Sequence, residues 1–193
     1  MAIKLKNAPQ KSVDELKNAL QWFQENKEKP LLGISLTEQF DEMQSIPHRI
    51  FNLQRDEILN GKGLEVAKLI GWRYILKEDR SQGYVIEIGV DAQKDEHFFT
   101  HSNEGDHVNN FISQYHILSQ KDNVTEQKNY ELNVLRVPSC YVFAIWLKEE
   151  NEQDIIIPLA PVHQGFEAGK SYQADEFMTI LKIVALEMQN KEI

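Results

Sequence analysis

The chain has 193 residues, of which 41% are hydrophobic, 26% charged and 9% aromatic. This composition is typical of a folded water-soluble domain and argues against a disordered tail, a fibrous repeat and a membrane-embedded protein. Acidic residues outnumber basic residues by 30 to 21, which gives a formal net charge of −9. A negative surface opposes binding to nucleic acid and to anionic membranes, and it fits a basic protein partner better.

The single cysteine, Cys140, excludes an internal disulfide and a zinc site built from cysteines. Its apolar surroundings are typical of a core residue and not of a reactive nucleophile. The N-terminus lacks the apolar run of a signal peptide, and no apolar stretch is long enough to span a membrane. We therefore expect a cytoplasmic protein.

The N-terminal part of the chain has the periodicity of amphipathic helices. Ser12 and Glu15 have the spacing of a capping box, which predicts the start of a first helix. A short helical turn is expected over Ser35–Met43, and another helix is expected to begin at Ser45. The core face of the first helix is expected to contain five apolar residues at helical intervals: Val13, Leu16, Ala19, Leu20 and Phe23.

From Gly71 the hydrophobic period changes to the two-residue period of strands. Alternating residues on either side of a five-residue turn at Asp79–Gly83 predict an antiparallel hairpin over Trp72–Val90. A short strand is expected at His97–His101, followed by a helix that Asn103 caps.

Three further strands are expected over Tyr130–Val137, Cys140–Leu147 and Ile155–Ala160. The second of them is apolar on both faces, as an inner strand is. Pro158 places the third at a sheet edge, because proline cannot donate a hydrogen bond to the ladder. A C-terminal helix is predicted from about Gln173.

These elements predict an α+β fold with a mainly antiparallel sheet of about five to six strands. Helices at the N-terminus, between strands and at the C-terminus are expected to pack on this sheet. We expect a single domain over residues 1–193, in which residues 1–60 are a candidate N-terminal helical layer.

The segment His97–His116 resembles a metal site more than any other stretch, because it contains four of the six histidines. If the chain is extended there, His97 and His101 share a face but lie about 13 Å apart. Two ligands of one zinc ion cannot be so far apart. His107 and His116 are nine positions apart on a predicted helix and therefore point to opposite sides.

The remaining candidate metal ligands surround the predicted strand-to-helix turn: His101, Glu104, Asp106 and His107. Polar residues at such a turn also serve as helix caps. We expect neither a bound metal nor another cofactor.

Two arginines interrupt apolar strand segments, namely Arg73 and Arg136. Each is expected either to enter a ligand pocket or to extend its charged end to solvent. The loop Gln164–Ser171 ends in Gly-Lys-Ser but has three residues between its glycines where a phosphate-binding loop has four. We interpret this loop as a glycine-bearing turn.

No catalytic motif is complete, so we expect a non-catalytic binding or protein-interaction module. The alternative is a metal-assisted hydrolase that uses the segment His97–His116. The predicted C-terminal helix places Leu186 within its polar face and Ile183 beside that face. These two residues are candidates for contact with a protein partner or with a second copy of the chain.

Overall fold

The computed structural model describes residues 2–26, 45–77, 83–120, 129–149 and 153–191. The strands are β1 (Ala2–Lys4), β2 (Ser45–Asn52), β3 (Lys68–Lys77), β4 (Gly83–Asp91), β5 (Glu96–Asn103), β6 (Asn129–Val137), β7 (Val142–Lys148), β8 (Ile155–Pro158) and β9 (Tyr172–Gln173). The helices are α1 (Gln10–Asn26), α2 (Arg55–Leu59), α3 (Asp106–Gln120) and α4 (Ala174–Lys191).

The fold is α+β, with a mixed, mostly antiparallel sheet of nine strands and with N-terminal, inserted and C-terminal helices. This confirms the predicted fold class. The predicted count of about five to six strands is wrong. The strands that were not predicted are β1, β2 and β9, and two of these have only three and two residues.

The chain divides into two compact units. Unit 1 comprises Met1–Lys4, Ile50–Leu69 and Asp122–Ile193, and unit 2 comprises Leu5–Arg49 and Ile70–Lys121. Strands β2 and β3 contribute residues to both units. The single domain expected over the whole chain stays a prediction.

In unit 2 the strands follow the order β5-β4-β3-β2. Strands β3 and β4 pair antiparallel with Trp72 opposite Ile88, which confirms the predicted hairpin. Gly83 pairs with Lys77 and so belongs to β4, whereas the prediction placed it in the turn. The connection over residues 78–82 lies outside the described residues.

The core of unit 2 lies on both faces of this hairpin. Helix α1 covers the face of β3 that carries Trp72 and Tyr74, and all five residues of its predicted core face are buried. Helix α3 places Phe111 beside Arg73, on the opposite face of β3. Two helices thus cover alternate residues of one strand, as the two-residue period requires.

In unit 1 the strands follow the order β2-β6-β7-β8-β9, and β1 pairs parallel to β6. Strand β7 lies between β6 and β8, which confirms the inner position predicted for this apolar segment. Its start differs from the prediction, because Cys140 lies in a 3₁₀ turn over Pro138–Cys140 and the strand begins at Val142. Cys140 is buried, as expected of a core residue.

Strand β8 is not the edge strand that Pro158 predicted. The two-residue strand β9 pairs with Ile155 and Ile156 only. Pro158 lies past the end of this pairing, at the last position of β8. The missing N–H of the proline therefore costs no hydrogen bond to β9, although β8 has a neighbour on each side.

Helix α4 closes the core of unit 1. Helical spacing predicts a core face on this helix that contains Phe177, Ile180, Leu181, Val184 and Met188. Phe177, Leu181 and Val184 are buried, as is Ala185, which was not predicted, while Ile180 and Met188 are partly buried.

The prediction that a helix begins at Ser45 is wrong, because Ser45–Asn52 is strand β2. Ile46, His48 and Ile50 are buried at alternate positions, and a short helix, α2, follows only from Arg55. The candidate helical layer over residues 1–60 therefore contains strands. The helical turn expected at Ser35–Met43 lies outside the described residues.

The loop Gln164–Ser171 is a turn that leads into β9 and not directly into a helix. This agrees with its interpretation as a glycine-bearing turn. Within the described ranges, no helix has the length and apolar character needed to cross a membrane.

Candidate functional site

The candidate metal residues do not converge. A β-bulge shifts the register of β5 against β4, so that His97 pairs with Val90 and His101 pairs with Glu87. Val90 and Glu87 lie on opposite faces of β4, since their numbers differ by three. His97 and His101 therefore lie on opposite faces of β5, and the expectation that they share a face is wrong because a bulge inserts an extra residue.

Each candidate histidine has a partner that is not one of the other candidates. The Nε2 atom of His101 lies 3.5 Å from Oε2 of Glu87. His107 Nε2 lies 3.1 Å from the side-chain nitrogen of Asn103. Among the residues that the structure describes, no group of three or more His, Cys, Asp or Glu side chains could hold a metal ion.

A buried ion pair lies at the centre of unit 2. Arg73 Nε is 3.3 Å from Oε1 of Glu87, and both side chains are almost fully buried. Oε2 of the same carboxylate faces the half-exposed ring of His101, so the carboxylate lies between a guanidinium and an imidazole. Arg73 thus lies in the protein interior beside Glu87, and its charged end does not extend to solvent.

Two stacked aromatic rings lie on the arginine side of this ion pair. The Arg73 guanidinium lies 5.4 Å from the ring centroid of Phe111, and the buried ring of His48 stacks on Phe111 at 4.7 Å. A guanidinium over an aromatic face gains electrostatic stabilisation, which increases in a desolvated site. These contacts are those of a buried structural cluster.

An exposed aromatic surface lies where α1 meets β5. Three large residues, Trp22, Phe98 and Phe99, are each between 40% and 49% exposed. Phe99 packs edge-on against Phe23 of α1, with ring centroids 5.7 Å apart, and Trp22 packs edge-on against the same ring at 5.4 Å. We call Trp22, Phe98 and Phe99 the aromatic edge.

The aromatic edge spans both faces of β5. Phe99 is opposite Ile88 and Phe98 is opposite Gly89, so the two adjacent phenylalanines point to opposite faces. Gly89 makes room for the second ring, since a Cβ atom there would lie 2.6 Å from Cζ of Phe98. Two exposed rings therefore flank the backbone of this strand.

Strand β5 is the last strand of unit 2 in the part of the chain that the structure describes. It contains neither lysine nor proline, the residues that commonly protect a sheet edge, although its bulge is one protective feature. The turn before it is anchored by an ion pair between Lys11 and Asp95. The hydrogen bond from Lys11, together with its charge, lowers the pKa of the Asp95 carboxyl.

The two residues predicted for a partner contact are about half exposed on α4, namely Ile183 and Leu186. They are three positions apart and so are neighbours on the helix surface. Their exposure agrees with the helical projection, and the contact itself stays a prediction.

Unit 1 also contains an open cleft of about 630 Å³. Its floor includes Trp146, whose indole N–H donates a hydrogen bond of 2.8 Å to Asp154. Charged side chains of both signs line it: Lys62, Glu65, Lys148, Glu149, Asp154, Asp175 and Lys182. This mixture favours neither an anionic nor a cationic ligand.

Sequence reasoning did not identify the aromatic edge. Trp22 was not part of the predicted core face of α1, so its exposure follows from the same helical projection that places Leu20 and Phe23 inside. Phe98 and Phe99 gave a second indication of exposed aromatic rings, because two adjacent strand residues cannot both point to the same face of the sheet. No residue spacing in the sequence predicts that α1 packs against β5.

Comparisons of the chain with protein-family models, with curated proteins and with solved structures found no match.

Proposed function

We propose that the protein is a non-catalytic interaction module that binds an extended segment of a partner protein along β5. The observation that carries this proposal is the aromatic edge. Exposed tryptophan and phenylalanine side chains are typical of interface centres, where they contribute most of the binding energy. Here they accompany the backbone of a terminal strand.

An extended partner segment fits this geometry better than a helix does. A strand added to a sheet edge forms main-chain hydrogen bonds, and its alternate side chains contact both faces of the edge. Phe98 and Phe99 are available on those two faces. Because the bulge follows Phe99, regular pairing of an added strand is expected over Glu96–Phe99.

The test begins with peptides selected from a displayed random library on the whole protein. Fluorescence offers a direct readout, because Trp22 is exposed whereas Trp72 and Trp146 are buried. Binding at the aromatic edge should shift the tryptophan emission to shorter wavelength and protect β5 amides from hydrogen exchange. N-methylation of the same peptide should abolish binding, because the backbone donors of an added strand are then lost.

A double variant, Phe98→Ser with Phe99→Ser, should weaken peptide binding at least about tenfold, as expected on loss of central aromatic contacts. The matched control is Ile117→Ser, which removes an exposed apolar side chain from α3 of the same unit. Equal binding by both variants, or protection confined to other segments, would show that β5 is not the binding edge.

The exposed pair on α4 supports a second candidate, a contact with a partner protein or with a second copy of the chain. Ile183 and Leu186 form a smaller surface than the aromatic edge, so we rank this contact second. Light scattering should show a dimer that Leu186→Glu dissociates. A dimer that persists in this variant would exclude the contact. The described residues offer the metal-assisted hydrolase no comparable arrangement.

A further inference from the structure

Strand β5 presents two chemically different faces to an added strand. Phe99 packs against Phe23 of α1, so the face of β5 that carries Phe99 is the α1 face. Side chains two positions apart in a strand share a face, which places Glu96 beside Phe98 on the opposite face. Both of these side chains are exposed. The second face thus presents a carboxylate and an aromatic ring side by side.

Glu96 is the carboxylate of the β4–β5 turn that has no cation beside it. The carboxylate of Asp91 lies 3.6 Å from Nζ of Lys94. The carboxylate of Asp95 pairs with Lys11. In the part of the chain that the structure describes, the carboxylate of Glu96 has no ion pair. One negative charge of this turn therefore remains to be matched.

The register of the β4–β5 ladder places two carboxylates opposite each other. Asp91 is the cross-strand partner of Glu96. Like charges in directly opposite positions destabilise a sheet. Lys94 pairs with Asp91 and not with Glu96. A positive charge on a strand added beside Glu96 would offset this repulsion, so the position favours a cationic side chain of the partner.

Phe98 makes the same position selective for arginine. Its ring is 47% exposed and lies over Gly89, where a Cβ atom would be 2.6 Å from Cζ of the ring. A guanidinium stacks on an aromatic face and also binds a carboxylate through two N–H groups, whereas a lysine ammonium has no flat face. Side chains on paired strands lie about 4.5–5.5 Å apart when directly opposite and about 7–8 Å apart when diagonal. One arginine on an added strand therefore reaches both Glu96 and Phe98.

The α1 face of β5 favours apolar side chains instead. Phe99 and Trp22 are 40% and 49% exposed, and both pack against the ring of Phe23. Alternate residues of an added strand point to this face. Apolar side chains at those positions bury the exposed rings, which are the kind of residue that dominates binding energy at interfaces.

We propose that the partner segment alternates arginine with apolar residues, so that an arginine lies over Glu96 and Phe98 while the apolar residues contact the α1 face. This inference rests on the proposed binding along β5 and adds the chemistry of the segment that binds there. The formal net charge of −9 acts in the same direction, because it attracts a cationic segment. Glu96 is then the residue that determines the specificity of this edge.

The test compares three acetylated and amidated hexapeptides by titration calorimetry on the whole protein. Valine occupies every second position, and the other positions are all arginine, all citrulline, which is a neutral isostere of arginine, or all glutamate. The arginine peptide should bind at least about fivefold more tightly than the citrulline peptide, because citrulline cannot form the ion pair with Glu96. The glutamate peptide should bind most weakly. High salt should reduce the preference for arginine, since exposed ion pairs are screened.

Charge reversal locates the contact. Glu96→Lys should invert the order of affinities, so that the glutamate peptide binds most tightly. The matched control Glu104→Lys makes the same change of charge at an exposed position after β5, outside the pairing expected over Glu96–Phe99, and should keep the wild-type order. Inversion by both variants would show that net charge sets the preference, and it would overturn the inference.

Hydrogen exchange separates this inference from the proposed function. Equal affinities for the three peptides, with protection of the β5 amides, would overturn the arginine preference and leave binding along β5 intact. No binding of any of the three at millimolar concentration would also overturn the inference. The proposed function fails only if the peptides selected from the library leave β5 unprotected as well.

Discussion

The buried ion pair of unit 2 allows a quantitative prediction. The side chains of Arg73 and Glu87 are only 1% and 3% exposed. Glu87→Leu removes the carboxylate that faces this buried guanidinium. Breaking a buried pair in this way costs about 3–5 kcal/mol. For a chain of this size, that loss corresponds to a fall in melting temperature of about 6–20 °C.

The double variant Arg73→Met with Glu87→Leu should be far less destabilised than Glu87→Leu alone, within about 2 kcal/mol of the wild type. The reason is that an apolar pair of similar volume needs no compensation for lost hydration. The single variant Arg73→Met completes a double-mutant cycle, from which the coupling free energy of the pair is obtained. His101→Gln should cost less than about 1 kcal/mol, because a contact with a half-exposed side chain is screened by solvent.

Urea denaturation followed by circular dichroism measures these free energies of unfolding, and an unchanged m-value shows that the compared transitions expose the same surface. A loss below about 1 kcal/mol for Glu87→Leu would contradict this prediction, because removing one partner of a buried ion pair is strongly destabilising. A double variant as unstable as the single one would contradict it as well.

Two further predictions concern the cysteine and the histidines. Burial raises the pKa of the Cys140 thiol, so the native protein should react with iodoacetamide much more slowly than the urea-unfolded protein. The two reaction rates are measured at pH 8, and equal rates would contradict the core position of Cys140. Metal analysis of the purified protein should find no stoichiometric zinc, whereas one ion per chain that is lost in His101→Ala or His107→Ala would contradict the separation of these ligands.

The hairpin shows which features the hydrophobic period predicts and which it does not. Alternation identified both strands and their buried faces, because it is a local property of the chain. Placing the five-residue turn at Asp79–Gly83 would put Arg73 opposite Gly89. The observed register pairs Lys77 with Gly83, and therefore Arg73 with Glu87. A shift of the turn by one residue moves every cross-strand partner by two. The predicted register therefore did not place Arg73 opposite Glu87.

Strand β2 was misread because two of its residues do not resemble a strand. Pro47 cannot donate to a ladder, and His48 breaks the apolar alternation of Ile46 and Ile50. In the structure the ring of His48 is buried and stacked on Phe111, so it occupies a core position despite its polarity. The stacking partner lies on α3, and no local pattern indicates it.

The candidate sites differ in how much a sequence can show of them, and the reason is the number of elements that build each one. Ile183 and Leu186 lie on one helix, so a helical projection identifies their exposure. The aromatic edge requires α1 and β5 to meet, which no single segment of the sequence shows. Arg73 was recognised as an interruption of an apolar strand, but its pairing with Glu87 follows only from the register of the hairpin. A single charged residue in an apolar strand therefore indicates that a partner is needed, and the fold decides which group provides it.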